Sequence, residues 1–160
     1  MTDSANGGAG PLVLNVPMRW GDMDAYGHIN NVEVLRILEE ARIHAFGPPA
    51  GTGLPGLEVD LPVFNDLPEG TQALVVEHRV KYLSALNYRN VPARIEVWIS
   101  AVKGASFTVA YAIFDPVTGA KCVLAETVLA FFNPTLGTLL RISAAKKALL
   151  EPLRGEANFR

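Results

Sequence analysis

Only one cysteine, Cys122, stands in the chain, so no intrachain disulfide can form and the sequence suits a reducing compartment. No apolar run approaches the ~20 residues that a membrane-spanning helix needs. Neither sign of charge dominates: 14 basic residues against 16 acidic ones leave a formal charge of −2. That balance gives no broad basic field for nucleic acid and no acidic excess of the kind that solvates a disordered tail. Histidines number three, His28, His44 and His78, and they do not fall at a metal-ligand spacing. A Gly-x-Ser-x-Gly elbow, a P-loop and a His-Glu-x-x-His pair are all missing, which leaves serine-hydrolase and zinc-protease chemistry without support. The first eleven residues are Gly-rich and polar, with neither a basic n-region nor an apolar h-region. They read as a disordered leader, and a soluble cytoplasmic protein is expected.

What is present suffices for one domain, expected over residues 12–160. Hydrophobic residues make up 49% of 160, enough for a real core. Leu12 to Trp20 reads as a first strand, with Pro17 placing it near an edge or a bulge. Asn31 to Phe46 reads as the one long amphipathic helix. Val34, Leu35, Leu38, Ala41 and Ala45 form its apolar stripe, with Ile37 and Glu39 at the borders. Glu33, Arg36, Glu40 and His44 gather on the opposite, solvated side. Arg42 falls inside the apolar arc, where it either snorkels or pairs with Glu39 at i,i+3.

Gly47 to Gly70 is a Pro/Gly-rich connection, read as a flexible loop with a substrate-entry lid as the lesser alternative. Its Gly51-x-Gly53-x-x-Gly56 pattern is not a dinucleotide fingerprint, because no strand precedes it and Pro55 stands where a helix should begin. From there the pattern switches to strands. Thr71–Leu86 alternates, with His78, Val80 and Tyr82 on one face and Glu77, Arg79 and Lys81 on the other. Ala93–Val102, Phe107–Phe114 and Lys121–Phe132 follow, and Ser143 to Leu153 forms a short terminal helix capped by Ser143. One strand, one long helix and a meander of four strands give an α+β order.

The chemistry gathers in Met18 to Phe46. Asp22 and Asp24 sit two apart, on one side of the chain while it stays extended. The turn Ala25-Tyr26-Gly27-His28 follows, with Gly27 free to take a positive φ. Asn30 is a good N-cap, and Glu33 stands where a capping-box partner would. A carboxylate is thereby delivered beside a helix N-terminus, whose unpaired N–H groups and macrodipole can polarise a carbonyl. On spacing alone Asp24 is either a catalytic group or a turn-forming Asx residue. Asp22 braces the turn. His28 serves orientation or capping more than proton transfer, and His78 reads as a hydrogen-bonded core histidine.

Arg19-Trp20-x-Asp22-x-Asp24-x-x-Gly27-His28-x-Asn30-Asn31, with Glu39-x-Ala41-Arg42 beyond it, resembles the signature of hot-dog-fold acyl-CoA thioesterases of the 4-hydroxybenzoyl-CoA thioesterase type. The resemblance implies a sheet wrapped around the long helix and hydrolysis of acyl-CoA to a free acid and coenzyme A. It implies that Asp24 is the catalytic carboxylate and that the backbone N–H of Asn31 polarises the thioester carbonyl. It places His28, Val34, Ile37 and Glu39 around the substrate, and it implies a homodimer or homotetramer with sites at the subunit interface. No metal or cofactor is expected. Val34 and Ile37 occupy positions where the family usually carries aromatic residues, which points to aliphatic or bulky acyl groups. Arg79, Lys81, Arg89 and Arg94 form a locally basic stretch, suited to coenzyme A phosphates or to a solvated strand face. Two rivals share the scaffold: a thioesterase for acyl carrier protein substrates, and a non-catalytic acyl-CoA-binding domain.

Overall fold

The computed structural model describes residues 10–48, 59, 61–64 and 67–160. Residues 1–9 of the expected leader, and most of the Gly47–Gly70 connection with its Gly51-x-Gly53-x-x-Gly56 pattern, lie outside them. In chain order the elements are β1 (Leu12–Val16), α1 (Asn31–Phe46), β2 (Gln72–Tyr82), β3 (Ala93–Val102), β4 (Ser106–Phe114), β5 (Lys121–Asn133), β6 (Thr138–Leu139) and α2 (Ala144–Leu150). Single 3-10 turns occupy Trp20–Asp22 and Glu151–Leu153.

The strands make one antiparallel sheet in the order β1-β3-β4-β5-β2, with β6 added to β5. The expected four-strand meander is therefore corrected. Only β3, β4 and β5 meander; β2 lies across the sheet from β3, pairing with β5 from Gln72↔Phe132 to Tyr82↔Val123. Alternation along a strand fixes which face it buries but not which neighbour it chooses.

The helix packs on the inner face of this sheet. Ile37, Leu38, Ala41 and Ala45 of α1, Ile95, Val97 and Ile99 of β3, and Phe107 and Tyr111 of β4 are all within 1% of full burial. Each such large aliphatic or aromatic side chain contributes about 1.5–3 kcal/mol by leaving water. Alternation in β3 holds as read, with Arg94, Glu96 and Trp98 on the outer face. An antiparallel sheet packed on one long helix, in an α+β order, is the hot-dog fold.

Several local expectations shift. β1 stops at Val16, before Pro17, which has no N–H for a ladder, and the chain tightens into the 3-10 turn instead of staying extended to Trp20. Ile37 is not a border residue but fully buried. Arg36 is not simply solvated: it reaches back 14 residues to the buried Asp22. Glu33 makes no capping box with Asn30, because its carboxylate is drawn to Arg36 at 3.0 Å and Arg19 at 3.4 Å. The ambiguity over Arg42 resolves to burial with a second partner, its guanidinium donating to the Tyr111 hydroxyl at 3.2 Å while Glu39 stands 3.7 Å away. His78 is hydrogen-bonded to Thr127 at 2.9 Å as read, yet it lies on the half-open edge strand rather than in the core.

Candidate active site

The site is built where the turn after β1 enters α1. Gly27 takes φ +82° and closes a tight reversal, with the Asp24 N–H donating to the His28 carbonyl at 2.7 Å and Met23 bridging Ile29. Asp24 holds this reversal with one oxygen: Oδ1 accepts the N–H groups of Tyr26 at 2.8 Å and His28 at 3.1 Å. Oδ2 accepts no hydrogen bond among the described residues. The Asx turn and the carboxylate facing a ligand are thus compatible uses of the same side chain.

Asn30 caps α1, its Oδ1 accepting the Val32 N–H at 3.1 Å and its carbonyl accepting from Glu33 and Val34. Its own N–H goes to the Asp22 carbonyl at 2.8 Å. These bonds satisfy the N–H groups on either side and leave that of Asn31 as the first-turn donor with no acceptor among the described residues. An oxygen with partial negative charge placed there meets both a free donor and the positive end of the helix dipole.

Asp22 does something else. Its side chain is fully buried and takes the Arg19 N–H at 2.7 Å, the Arg19 Nε at 3.0 Å and the Arg36 guanidinium at 2.6 Å. Burial alone pushes the carboxyl up, but the Arg19 N–H, the Arg19 guanidinium and Arg36 together hold it below the ordinary carboxylate range. Asp22 therefore ties the turn to α1.

A cavity of about 430 Å³ opens at this helix end, lined by Asp24, His28, Ile29, Asn31 and Val34, by Tyr82 to Leu86 and by Val123. The structure thus brings together four of the residues singled out in the sequence: Asp24, His28, Asn31 and Val34. Ile37 and Glu39 are not on its walls. Ile37 is enclosed in the core, and the exposed Glu39 turns toward Arg42.

Tyr82, Leu83, Ser84, Ala85 and Leu86 were not anticipated. They arrive because β2 crosses the sheet and its end is stapled to the turn, the Ile29 N–H donating to the Leu86 carbonyl at 2.8 Å and His28 bridging Asn87. The alternation that put Tyr82 on the face of His78 and Val80 was the one signal available. A larger hollow of about 640 Å³ lies against Arg79, Ser100, Glu126 and residues 156–160. Within it Ser100 donates to Glu126 at 2.6 Å and Arg79 lies over the Phe159 ring at 4.0 Å. Among the described residues no helix N-terminus lines it. The basic stretch is similarly engaged: Lys81 donates to the Phe159 carbonyl, Arg89 pairs with Asp115 and Arg94 with Glu96. Among the described residues no three His, Cys, Asp or Glu side chains group as a metal site.

The sequence model of the Thioesterase-like superfamily matches residues 18–153, from the turn after β1 to the end of the second 3-10 turn. The chain belongs to this superfamily. Membership supports thioester hydrolysis as the general chemistry. Solved structures described as thioesterases share the fold at low identity. A predicted thioesterase from Bacillus stearothermophilus aligns with TM-score 0.71 at 18% identity, over 91% of this chain and 98% of that one. YbaW, a probable thioesterase from Escherichia coli, aligns with TM-score 0.69 at 18% identity, over 88% and 97%. A Thermus thermophilus thioesterase complexed with coenzyme A and zinc aligns with TM-score 0.66 at 20% identity, over 93% and 97%. No curated protein matches the sequence. No helix among the described residues is long and apolar enough to cross a membrane.

Proposed function

We propose that the protein hydrolyses the thioester of an acyl-CoA, with Asp24 as the catalytic carboxylate and the Asn31 N–H as the carbonyl-polarising donor. One observation carries this reading: a carboxylate with an uncommitted oxygen and a helix-start N–H without an acceptor share one cavity whose remaining wall is largely aliphatic. The thioester carbonyl oxygen sits at the Asn31 N–H, which stabilises the negative charge as the tetrahedral centre forms. Asp24 takes a proton from water as the water oxygen adds to the carbonyl carbon. Collapse of the intermediate breaks the C–S bond, and the departing thiolate recovers that proton, giving an acid and a thiol. Direct attack by Asp24, with hydrolysis of the resulting anhydride, uses the same geometry. His28 lies in the wall beside Asp24 and orients the substrate.

Coenzyme A is assigned as carrier from the resemblance to 4-hydroxybenzoyl-CoA thioesterases and from the coenzyme A bound by the Thermus thermophilus relative. The four basic residues of the local stretch do not contribute to that assignment, since each has a partner within the chain. The acyl group is proposed to be aliphatic: Ile29, Val34, Leu83, Leu86 and Val123 furnish the apolar wall. A second copy is proposed to pair along β2, an 11-residue edge strand on which Leu74, Val75 and Val76 stay exposed.

The test is a hydrolysis screen of the purified protein across straight-chain and aromatic acyl-CoAs, with the same acyl groups on acyl carrier protein in parallel. The expected result is turnover of aliphatic acyl-CoA above every benzoyl-type thioester. Faster turnover on the carrier protein would reassign the carrier, and binding of every thioester without hydrolysis would leave an acyl-CoA-binding domain. Light scattering is expected to show at least a dimer at micromolar concentration; a monomer would contradict pairing along β2.

A further inference from the structure

Tyr82 closes β2 and is paired there with Val123, so its ring is carried into the cavity wall opposite the start of α1. Its hydroxyl donates to the Asn31 carbonyl oxygen at 2.9 Å, a bond spanning 51 residues of sequence. In the helix ladder that carbonyl already faces the N–H four residues on, so Tyr82 supplies it with a second donor. Asn31 is therefore gripped from both ends. The carbonyl before its N–H is held by Glu33 and Val34, and its own carbonyl is held by Tyr82. Of these three backbone groups, the N–H between them is the one without a partner among the described residues. Desolvation by burial raises the phenol above its ordinary range, so the hydroxyl stays protonated and donates throughout the neutral range.

We propose that Tyr82 is a positioning residue of the thioester-hydrolysing site: by locking the first turn of α1 to the end of β2, it fixes the aim of the Asn31 N–H on the substrate carbonyl. The proposal rests on the reading of that N–H as the polarising donor. The bond adds modestly to stability, since Tyr82 is 50% exposed and its hydroxyl also lies within reach of solvent. It is well placed for aim, because a misdirected donor loses most of its strength as the hydrogen-bond angle falls. Its effect should be felt where charge develops on the oxygen, in kcat rather than in ground-state binding.

Tyr82→Phe removes the hydroxyl and keeps the ring. Steady-state kinetics on a straight-chain acyl-CoA should show kcat falling about tenfold, the scale of one hydrogen bond at the transition state, with KM within about twofold. The second readout does not depend on turnover. In Asp24→Asn, a bound acyl-CoA labelled with 13C at its thioester carbonyl should show an infrared band shifted below that of the free thioester. Adding Tyr82→Phe should return the band toward the free position. A raised KM with unchanged kcat, or a band indifferent to Tyr82→Phe, would overturn the positioning role while leaving Asn31 as the donor. A band unshifted even with Tyr82 present would overturn the Asn31 reading itself and this proposal with it.

Discussion

Asp22 and Asp24 are separated by a single residue and live in opposite surroundings. Asp22 is sealed from water and accepts from Arg19 and Arg36, joining the 3-10 turn to the middle of α1's first half. Asp24 sits half-buried on the cavity wall, gives one oxygen to its own turn, and keeps the other without a partner among the described residues. The same functional group thus ties the turn to the helix at one position and faces the cavity at the next but one. What separates them is backbone geometry: the 3-10 turn sends Asp22 inward, and the Met23–Ile29 bridge presents Asp24 to the cavity.

The division is broken most readily at Asp22. Asp22→Ala removes three hydrogen bonds to a buried carboxylate, two of them from arginines, and should cost about 2–4 kcal/mol in urea unfolding. For a domain of this size that lowers Tm by about 10 °C. An effect under about 1 kcal/mol would mean that Asp22 does not hold the fold. A smaller effect sharpens the same point through pH. The Asp22 carboxyl is depressed in the folded state, so its contribution is fully present above the ordinary carboxyl value of about 4 and is lost as pH falls through the lower folded value. Tm measured from pH 6 downward should therefore fall less steeply in Asp22→Asn than in wild type. Parallel acid limbs would contradict the assignment.

Asn30 lies between the two regions. Asn30→Ala removes the cap on Val32 and should cost about 1 kcal/mol, read by thermal melting. Smallest of all is Glu39, an acidic side chain that belongs to neither region. Its pair with the buried Arg42 is long, Arg42 keeps the Tyr111 hydroxyl, and a glutamine can still accept from it, so Glu39→Gln should change stability by less than about 1 kcal/mol and leave kcat/KM within about twofold. A tenfold loss of kcat/KM would bring Glu39 back to the acyl pocket.

Helix α1 was legible to the residue, because its cap and its 3.6-residue stripe are local signals. Ser143 likewise marked the start of the terminal helical segment, where it caps α2. The faces of β3 and the second half of β2 were legible from alternation. Partnership was not. Nothing within Gln72–Tyr82 says that it pairs with β5, and so the Tyr82–Leu86 wall of the cavity stayed hidden. The ion pairs of Asp22 were hidden for the same reason, since Arg36 meets it only once the turn has folded back on the helix. In the candidate site, the turn and helix start could be read from sequence, while the opposite wall required the sheet order.

The central claim is most directly tested by comparing single-turnover hydrolysis of a straight-chain acyl-CoA by wild type and Asp24→Asn. Asparagine can still accept the Tyr26 and His28 N–H groups, so Tm should drop by no more than a few degrees and acyl-CoA should still bind. The chemical step should slow by at least about 100-fold, the lower end of general-base catalysis. Asp22→Asn, assayed well below its own melting transition, should keep most of its rate. Asp24→Asn turning over at the wild-type rate would contradict the account.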